Sequence, residues 1–168
     1  RIPDVIHIFH KIQEKLPAKL NMVGEGPEKE AAERLCDTLG IADRVIFLGN
    51  SNEIDKILCF SDLFLLPSES ESFGLAALEA MVNRVPVISS NAGGIPEVNS
   101  HGVTGYLSEI GDIDDMAKNA VSILENDKTL EQFKLNAVKE SHKFDIHRVV
   151  PLYEEVYERA YKSRLSNV

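Results

Sequence analysis

The fold of this chain is decided by Leu63-Phe64-Leu65-Leu66, the polar loop Ser68-Glu69-Ser70-Glu71-Ser72 and the run Leu75-Ala76-Ala77-Leu78-Glu79-Ala80-Met81. The apolar run has the length and composition of a buried strand, and the last run consists of good helix formers. A strand, a short polar loop and a helix form the unit through which parallel sheets bind ligands at the carboxyl ends of their strands. We therefore expect this loop and the start of the following helix to carry the chemistry.

The same alternation of strand and helix patterns continues through all 168 residues. Strand patterns occupy 18–23, 44–49, 62–67, 86–90 and 105–108, and helical patterns occupy 4–15, 27–39, 52–60, 72–82, 112–125, 128–143 and 145–162. This alternation predicts the α/β class, as a Rossmann-like doubly wound parallel sheet with helices on both faces. Because the chain has no internal repeat or linker, residues 1–168 are predicted to form a single domain.

Both ends of the chain carry a structural expectation. A doubly wound sheet usually opens with a strand, whereas this chain opens with a helical pattern. We therefore expect the first, central strand of the sheet to lie upstream of Arg1, which leaves the domain truncated at its N-terminal side. The acidic helical segment at 145–162 is expected to be solvated and to pack back on the domain.

Composition excludes several classes of function. The formal net charge of −9 argues against general affinity for nucleic acid or for an anionic membrane. No apolar run reaches transmembrane length, so no membrane span is expected. Cys36 and Cys59 have neither metal-ligand spacing nor the density of a disulfide scaffold, which favours reduced thiols in a cytoplasmic protein. The five histidines form no metal-binding spacing with acidic or thiol partners.

The loop before Phe73 has the residues of an anion site. Ser72 is a good N-cap, which would leave the amides of Phe73, Gly74 and Leu75 as the unpaired donors of the first helical turn. Gly74 lacks a side chain where a ligand could approach the backbone. A helix start of this kind binds anions, although most capped helices bind nothing, so both interpretations remain open here.

Glu79 is the only charged residue between Ser72 and Val82, and it follows Glu71 by eight residues. It either lies on a solvated edge of the helix or accepts hydrogen bonds from hydroxyl groups of a ligand along the helix. Gly93-Gly94, after the strand at 86–90, predicts a second close-approach turn on the same rim. A nicotinamide site is not expected at Gly24-x-Gly26, because Lys29 stands where the third glycine of that fingerprint would be.

The ordered series of motifs resembles the nucleotide-sugar domain of retaining glycosyltransferases of family 4, which have the GT-B fold. The resemblance covers nearly the whole chain and rests on Gly24-Glu25-Gly26-Pro27, Val45 to Gly49, Glu71 to Leu75, Glu79-Ala80-Met81, Val85 to Ile88, Gly93 to Glu97, Gly102-x-x-Gly105-Tyr106-Leu107 and Gly111-Asp112. Within the family, Arg1 to Ile6 and Ser61-Asp62-Leu63 are most similar to the branch that joins N-acetylglucosamine to L-malate in bacillithiol biosynthesis.

The resemblance implies a UDP-sugar donor, UDP-N-acetylglucosamine for this branch, and no tightly held metal or other cofactor. It assigns Glu71 to the donor sugar near the reacting centre, as the catalytic residue, and Glu79 to the ribose hydroxyls. The other donor-binding positions that it implies are Ser72, Phe73, Gly74 and Leu75 at the helix start, and Gly24, Gly26, Gly49 and Asn50 around the nucleotide pocket.

The sequence departs from the family pattern in two ways. Val82-Asn83-Arg84 replaces the usual Ala-Cys-Gly, and we expect Asn83 to adopt the left-handed conformation that the glycine would have. The basic pair that grips the diphosphate and the acceptor-binding domain are expected upstream of Arg1, so this chain alone is predicted to be inactive.

Three alternatives remain at this stage. One is a glycogen-synthase-like transferase, the second is an epimerase acting on UDP-sugars, and the third is a non-catalytic α/β nucleotide-binding module. A receiver-like module is disfavoured because the chain lacks an acidic cluster after a first strand. The oligomeric state is left open, a homo-oligomer included.

Overall fold

A computed structural model describes residues 1–165, with the side chains of Ser163 and Leu165 excepted. The helices are α1 Ile2–Gln13, α2 Lys29–Thr38, α3 Ile54–Cys59, α4 Leu75–Val82, α5 Ile95–Val98, α6 Ile113–Leu124, α7 Asp127–Ser141 and α8 Ile146–Leu165. The strands are β1 Leu20–Val23, β2 Val45–Gly49, β3 Phe64–Leu66, β4 Val87–Ser90 and β5 Gly105–Ser108. Two 3₁₀ turns, Ala42–Arg44 and His142–Phe144, complete the described elements.

All strand pairings are parallel, which confirms the α/β class. The strands form two sheets instead of the single predicted one: β1 pairs with β2, and β4 lies between β3 and β5. Within residues 1–165 no strand bridges β1 and β3. The expected upstream strand stays a prediction.

Helices cover both faces of the three-stranded sheet because successive residues of β4 point in opposite directions. Ile88 packs with α1 and α6, whereas Val87 packs with α4 and α7. Helix α1 spans both sheets, since Ile8 contributes to the core around Ile88 and Ile6 to a separate core with α2 and β2. The two sheets are therefore joined through one helix, and the carboxyl ends of the strands are left free for loops.

The expectation about the C-terminal end of α4 is wrong. Asn83 has a φ of −85°, and the left-handed position is Arg84, with a φ of 64°. The amides of Arg84 and Val85 donate to the carbonyls of Met81 and Ala80, the pattern of a Schellman turn. Helix α4 ends at Val82, as predicted, so Asn83 is its C-cap and the left-handed residue is the one after the cap, one position later than predicted.

Helix α8 does not pack back on the domain as predicted. Among its described side chains only Val149 is partly buried, and all the others are exposed, including Tyr153 and Tyr157. Phe144, in the turn before α8, is the last aromatic side chain that packs into the core. Beyond this anchor the helix extends into solvent.

Candidate active site

The start of α4 differs from the prediction. Gly74, not Ser72, is the N-cap, with a φ of +95° that favours glycine, and Ser72 is exposed and makes no cap hydrogen bond. The Gly74 amide donates to a carboxylate oxygen of Glu71 at 3.3 Å. The first-turn donors without an intrahelical acceptor are therefore the amides of Leu75, Ala76 and Ala77. Of the three amides predicted to be unpaired, that of Gly74 is paired with Glu71. The Phe73 amide is also unpaired within the described part of the chain.

Glu71 is half-buried and is held at two points. Its carboxylate accepts the Gly74 N–H, and its backbone carbonyl accepts the Gly94 N–H at 3.1 Å. The Gly93-Gly94 turn is a close-approach turn, as predicted, and the group that approaches is the backbone of the loop itself. A Cβ on Gly93 would overlap the carbonyl oxygen of Glu71, and one on Gly94 would lie 2.5 Å from that of Ser72.

A buried polar network that the sequence pattern did not predict fixes this turn to the sheet. The side-chain amide of the fully buried Asn99 donates to Ser89 Oγ at 2.8 Å and to the carbonyls of Val87 at 3.1 Å and Tyr106 at 3.3 Å. Its oxygen accepts from Thr104 Oγ1 at 2.9 Å. A lone Asn after a short helix gives no sequence signal of burial, since Asn is usually exposed.

Glu79 lies on the solvated face of α4, as the simpler of the two interpretations predicted. The side chains of Leu75, Glu79 and Val82 recur at intervals of four and three residues and are all exposed, so Glu79 is the one charge on an otherwise apolar stripe. Within residues 1–165 no side chain hydrogen-bonds to its carboxylate or forms an ion pair with it. The carboxylate is therefore free to accept hydrogen bonds from a ligand.

The remaining predicted residues form a second group at the carboxyl ends of β1 and β2. Gly24 N–H donates to the Gly49 carbonyl at 2.8 Å, and the amide of Asn50 donates to Glu25 at 3.5 Å. Gly24 and Gly49 have φ values of +121° and +66°, which the turns require. Gly26 belongs to the same turn and has open space around it. Within residues 1–165 no hydrogen bond or ion pair joins this group to the Glu71 loop.

Arg1 is the cation beside the Glu71 loop. Its guanidinium is hydrogen-bonded to Asp4 and lies 3.6 Å from Glu69. The hydrogen bond and the charge of Asp4, with a smaller effect of Glu69, raise the pKa of Arg1. An open groove of about 510 Å³ between α1 and α6 includes none of the predicted site residues.

The described residues also bear on metal and membrane binding. They contain no group of three or more His, Cys, Asp or Glu side chains placed to hold a metal ion. None of the helices up to residue 165 has both the length and the apolar character needed to cross a membrane.

The chain is similar in sequence to a known protein family and to characterised members of it. The family model described as glycosyl transferases group 1 matches residues 1–140. A curated relative, the N-acetyl-alpha-D-glucosaminyl L-malate synthase of Bacillus anthracis, is 44% identical over 159 residues, which are 94% of this chain and 42% of that protein. The chain thus spans less than half the length of this relative.

Two solved structures are similar to the chain. HepE from Anabaena, solved with UDP and glucose, is 27% identical with a TM-score of 0.80, over 94% of this chain and 44% of that one. TarM from S. aureus, solved with UDP, is 24% identical with a TM-score of 0.87, over 94% of this chain and 32% of that one, and this likeness concerns the fold alone. The resemblance to GT-B enzymes is confirmed, and the chain belongs to the family of glycosyl transferases group 1.

Proposed function

We propose that the full-length protein transfers N-acetylglucosamine from UDP-N-acetylglucosamine to a small acceptor such as L-malate, with retention of anomeric configuration, as a step of bacillithiol biosynthesis. The observation that carries the proposal is that two carboxylates lie along α4. Glu71 is held beside the start of this helix, and Glu79 has no partner on its exposed face within residues 1–165. The relative from Bacillus anthracis, whose name states this donor group and acceptor, supports the substrate assignment.

The start of α4 binds the diphosphate in this proposal. The free amides of Leu75 and Ala76 point out of the helix end, and the helix dipole adds a partial positive charge. Glu79 follows Leu75 by one turn, about 6 Å along the axis. This rise is comparable to the distance from the phosphate oxygens of a nucleoside diphosphate to its ribose hydroxyls. Glu79 therefore accepts hydrogen bonds from the ribose while the amides hold the phosphate.

Glu71 contacts the donor sugar near the reacting carbon. Transfer with retention proceeds by front-face attack on an oxocarbenium-like centre, in which negative charge develops on the departing diphosphate. Preorganised amides stabilise that charge in the transition state without reorganising. We assign neutralisation of the remaining negative charge on the diphosphate to the basic pair expected upstream of Arg1, with no tightly bound metal.

The second group of residues lines the nucleotide pocket. Gly24 and Gly26 leave room for the nucleotide beside the backbone, and Gly49 and Asn50 continue the same surface. We also propose that the rest of the full-length protein supplies the acceptor domain and the strand expected beside β1 and β3, and that the protein acts in the cytoplasm. The extent of the relative from Bacillus anthracis supports a longer protein.

A transfer assay tests the proposal. The full-length protein is incubated with UDP-N-acetylglucosamine and L-malate, and product and anomeric configuration are read by NMR. The expected result is the α-linked product, formed only with both substrates present, and no product from the 168-residue chain alone. Conversion of the donor into its epimer without an acceptor would indicate the epimerase alternative and contradict the proposal, as would absence of UDP binding.

A further inference from the structure

The loop that carries Glu71 has few contacts of its own to fix its shape. Glu69, Ser70 and Ser72 are exposed, and within residues 1–165 the only side-chain hydrogen bond of Glu71 is the 3.3 Å contact with the Gly74 amide. A carboxylate that must meet a sugar near its reacting carbon has to be held within a fraction of an ångström. The Phe73 ring packs against Phe144, with ring centroids 5.6 Å apart, and fixes the end of the loop. The support for the backbone of Glu71 itself comes from another element.

That element is the short segment from Gly93 to Asn99. The Gly94 amide donates to the Glu71 carbonyl at 3.1 Å, and the Gly94 Cα faces the backbone of the next two residues of the loop. A Cβ there would lie 2.5 Å from Ser72 O and 2.9 Å from the Phe73 Cα. Gly94 has a φ of −83°, which alanine adopts freely, so glycine is needed at this position for space and not for conformation.

The other end of the segment is fixed to the sheet. Asn99 is fully buried, and its side-chain amide bonds to atoms of both β4 and β5. Buried polar groups that are fully satisfied specify one arrangement of the elements that they join. The four-residue helix α5, with Ile95 fully buried, spans the distance between this anchor and Gly94.

We propose that Gly94 is a positioning residue for Glu71, and that Asn99, acting through α5, ties this position to the sheet; the proposal rests on the proposed function. The segment 93–99 acts as a template for the loop that carries Glu71. Hydrogen bonds to the sheet fix Asn99, Asn99 fixes the position of α5, and Gly94, which has no side chain, fixes the backbone beside Glu71. The diphosphate donors belong to α4, which is held separately by Ala77 and Met81 in the core. Displacing the loop should therefore impair sugar transfer while leaving nucleotide binding intact.

The test is a double-mutant cycle in the full-length protein with Gly94→Ala and Glu71→Ala. We expect Gly94→Ala to lower kcat at least tenfold while the Kd for UDP changes less than twofold. If Gly94 acts through Glu71, adding Gly94→Ala to Glu71→Ala should lower kcat by less than twofold more. Equal effects of Gly94→Ala in both backgrounds, unchanged kcat, or a parallel loss of UDP affinity would overturn the proposal.

Gly40→Ala is the matched control. Gly40 has a φ of +68° just beyond the end of α2, so alanine strains the backbone there, and no atom of the Glu71 loop or of the Asn99 network lies within 4 Å of its Cβ position. We expect it to lower thermal stability while kcat per folded molecule stays within twofold. Should Gly94→Ala fail to fold, Asn99→Ser replaces it in the same cycle, with the same pattern expected and the same outcomes against it.

A readout without substrate separates this proposal from the proposed function. The Gly74 amide, which donates to Glu71, should exchange with solvent at least fivefold faster in Gly94→Ala than in the wild type, and within twofold of the wild type in Gly40→Ala. Faster exchange in a protein that does not bind UDP would refute the function and retain the template. Normal transfer by the wild type with unchanged Gly74 exchange in Gly94→Ala would refute the template alone.

Discussion

Replacing Asn99 by alanine should destabilise the domain strongly, because the change affects four hydrogen bonds of a fully buried side chain. Two of its partners are backbone carbonyls, which lose only one contact each. The other two, the hydroxyls of Ser89 and Thr104, lose a close partner inside the core, at roughly 1–3 kcal/mol for each buried group left unsatisfied. Because Thr104 retains a longer bond to Ser100 O at 3.4 Å, we expect a total of about 3 kcal/mol.

Urea denaturation of the 168-residue chain measures this cost as a decrease in the free energy of unfolding. In a thermal melt, a loss of about 3 kcal/mol should lower the melting temperature by roughly 6–12 °C. The control is Asn136→Ala, since Asn136 is only partly buried and its amide donates to a single carbonyl, that of Val103 at 3.0 Å. Its expected cost is about 1 kcal/mol or less. Equal costs for the two variants would refute the reasoning that the buried network anchors α5.

Two further predictions concern local features of the fold. Asp112→Ala should lower the free energy of unfolding by about 1 kcal/mol, because the Asp112 carboxylate accepts the Asp115 amide at 3.0 Å as the N-cap of α6; a urea titration in which Asp112→Ala matches the wild type would contradict this. Burial, aided by the charge of Asp37, raises the pKa of Cys36, so the folded state disfavours its thiolate. The free energy of unfolding should therefore fall as the pH rises through the ordinary thiol pKa and above it. Iodoacetamide should then label the exposed Cys59 quickly and Cys36 only on unfolding; labelling of both at one rate in the folded chain, read by mass spectrometry, would argue against this burial.

The elements of the fold could be predicted from the sequence because their signals are local. Strand β5 has the predicted bounds, and β2 begins one residue after the predicted start. Runs of apolar and β-branched residues between turn glycines favour strands whatever surrounds them. Two sheets are observed where one was predicted. Whether strands share a sheet depends on what lies between β1 and β3 in space, and local sequence patterns do not report this.

The details of the site depend on contacts between distant parts of the chain, so they could not be predicted locally. Ser72 is a favourable N-cap by residue type, yet Gly74 is the N-cap, and the backbone of Ser72 lies against Gly94, twenty-two residues later in the chain. Likewise, nothing around Asn99 distinguishes it from a solvated turn residue. Glu79 could be singled out because a lone charge in a helix of Leu, Ala and Met is itself a local signal.

Binding of UDP to the full-length protein, with and without Glu79, tests whether the exposed face of α4 holds the ribose of the donor. Glu79→Ala removes a charged acceptor of the ribose hydroxyls, and hydrogen bonds to charged groups contribute about 1.5–3 kcal/mol, so the Kd should rise roughly 10- to 100-fold. The control is Glu125→Ala, because Glu125 is also exposed and lies at the far end of α6 from the carboxyl end of β5. We expect calorimetry to find weaker UDP binding for Glu79→Ala and a Kd within twofold of the wild type for Glu125→Ala. Equal UDP affinity with and without Glu79 would contradict this expectation.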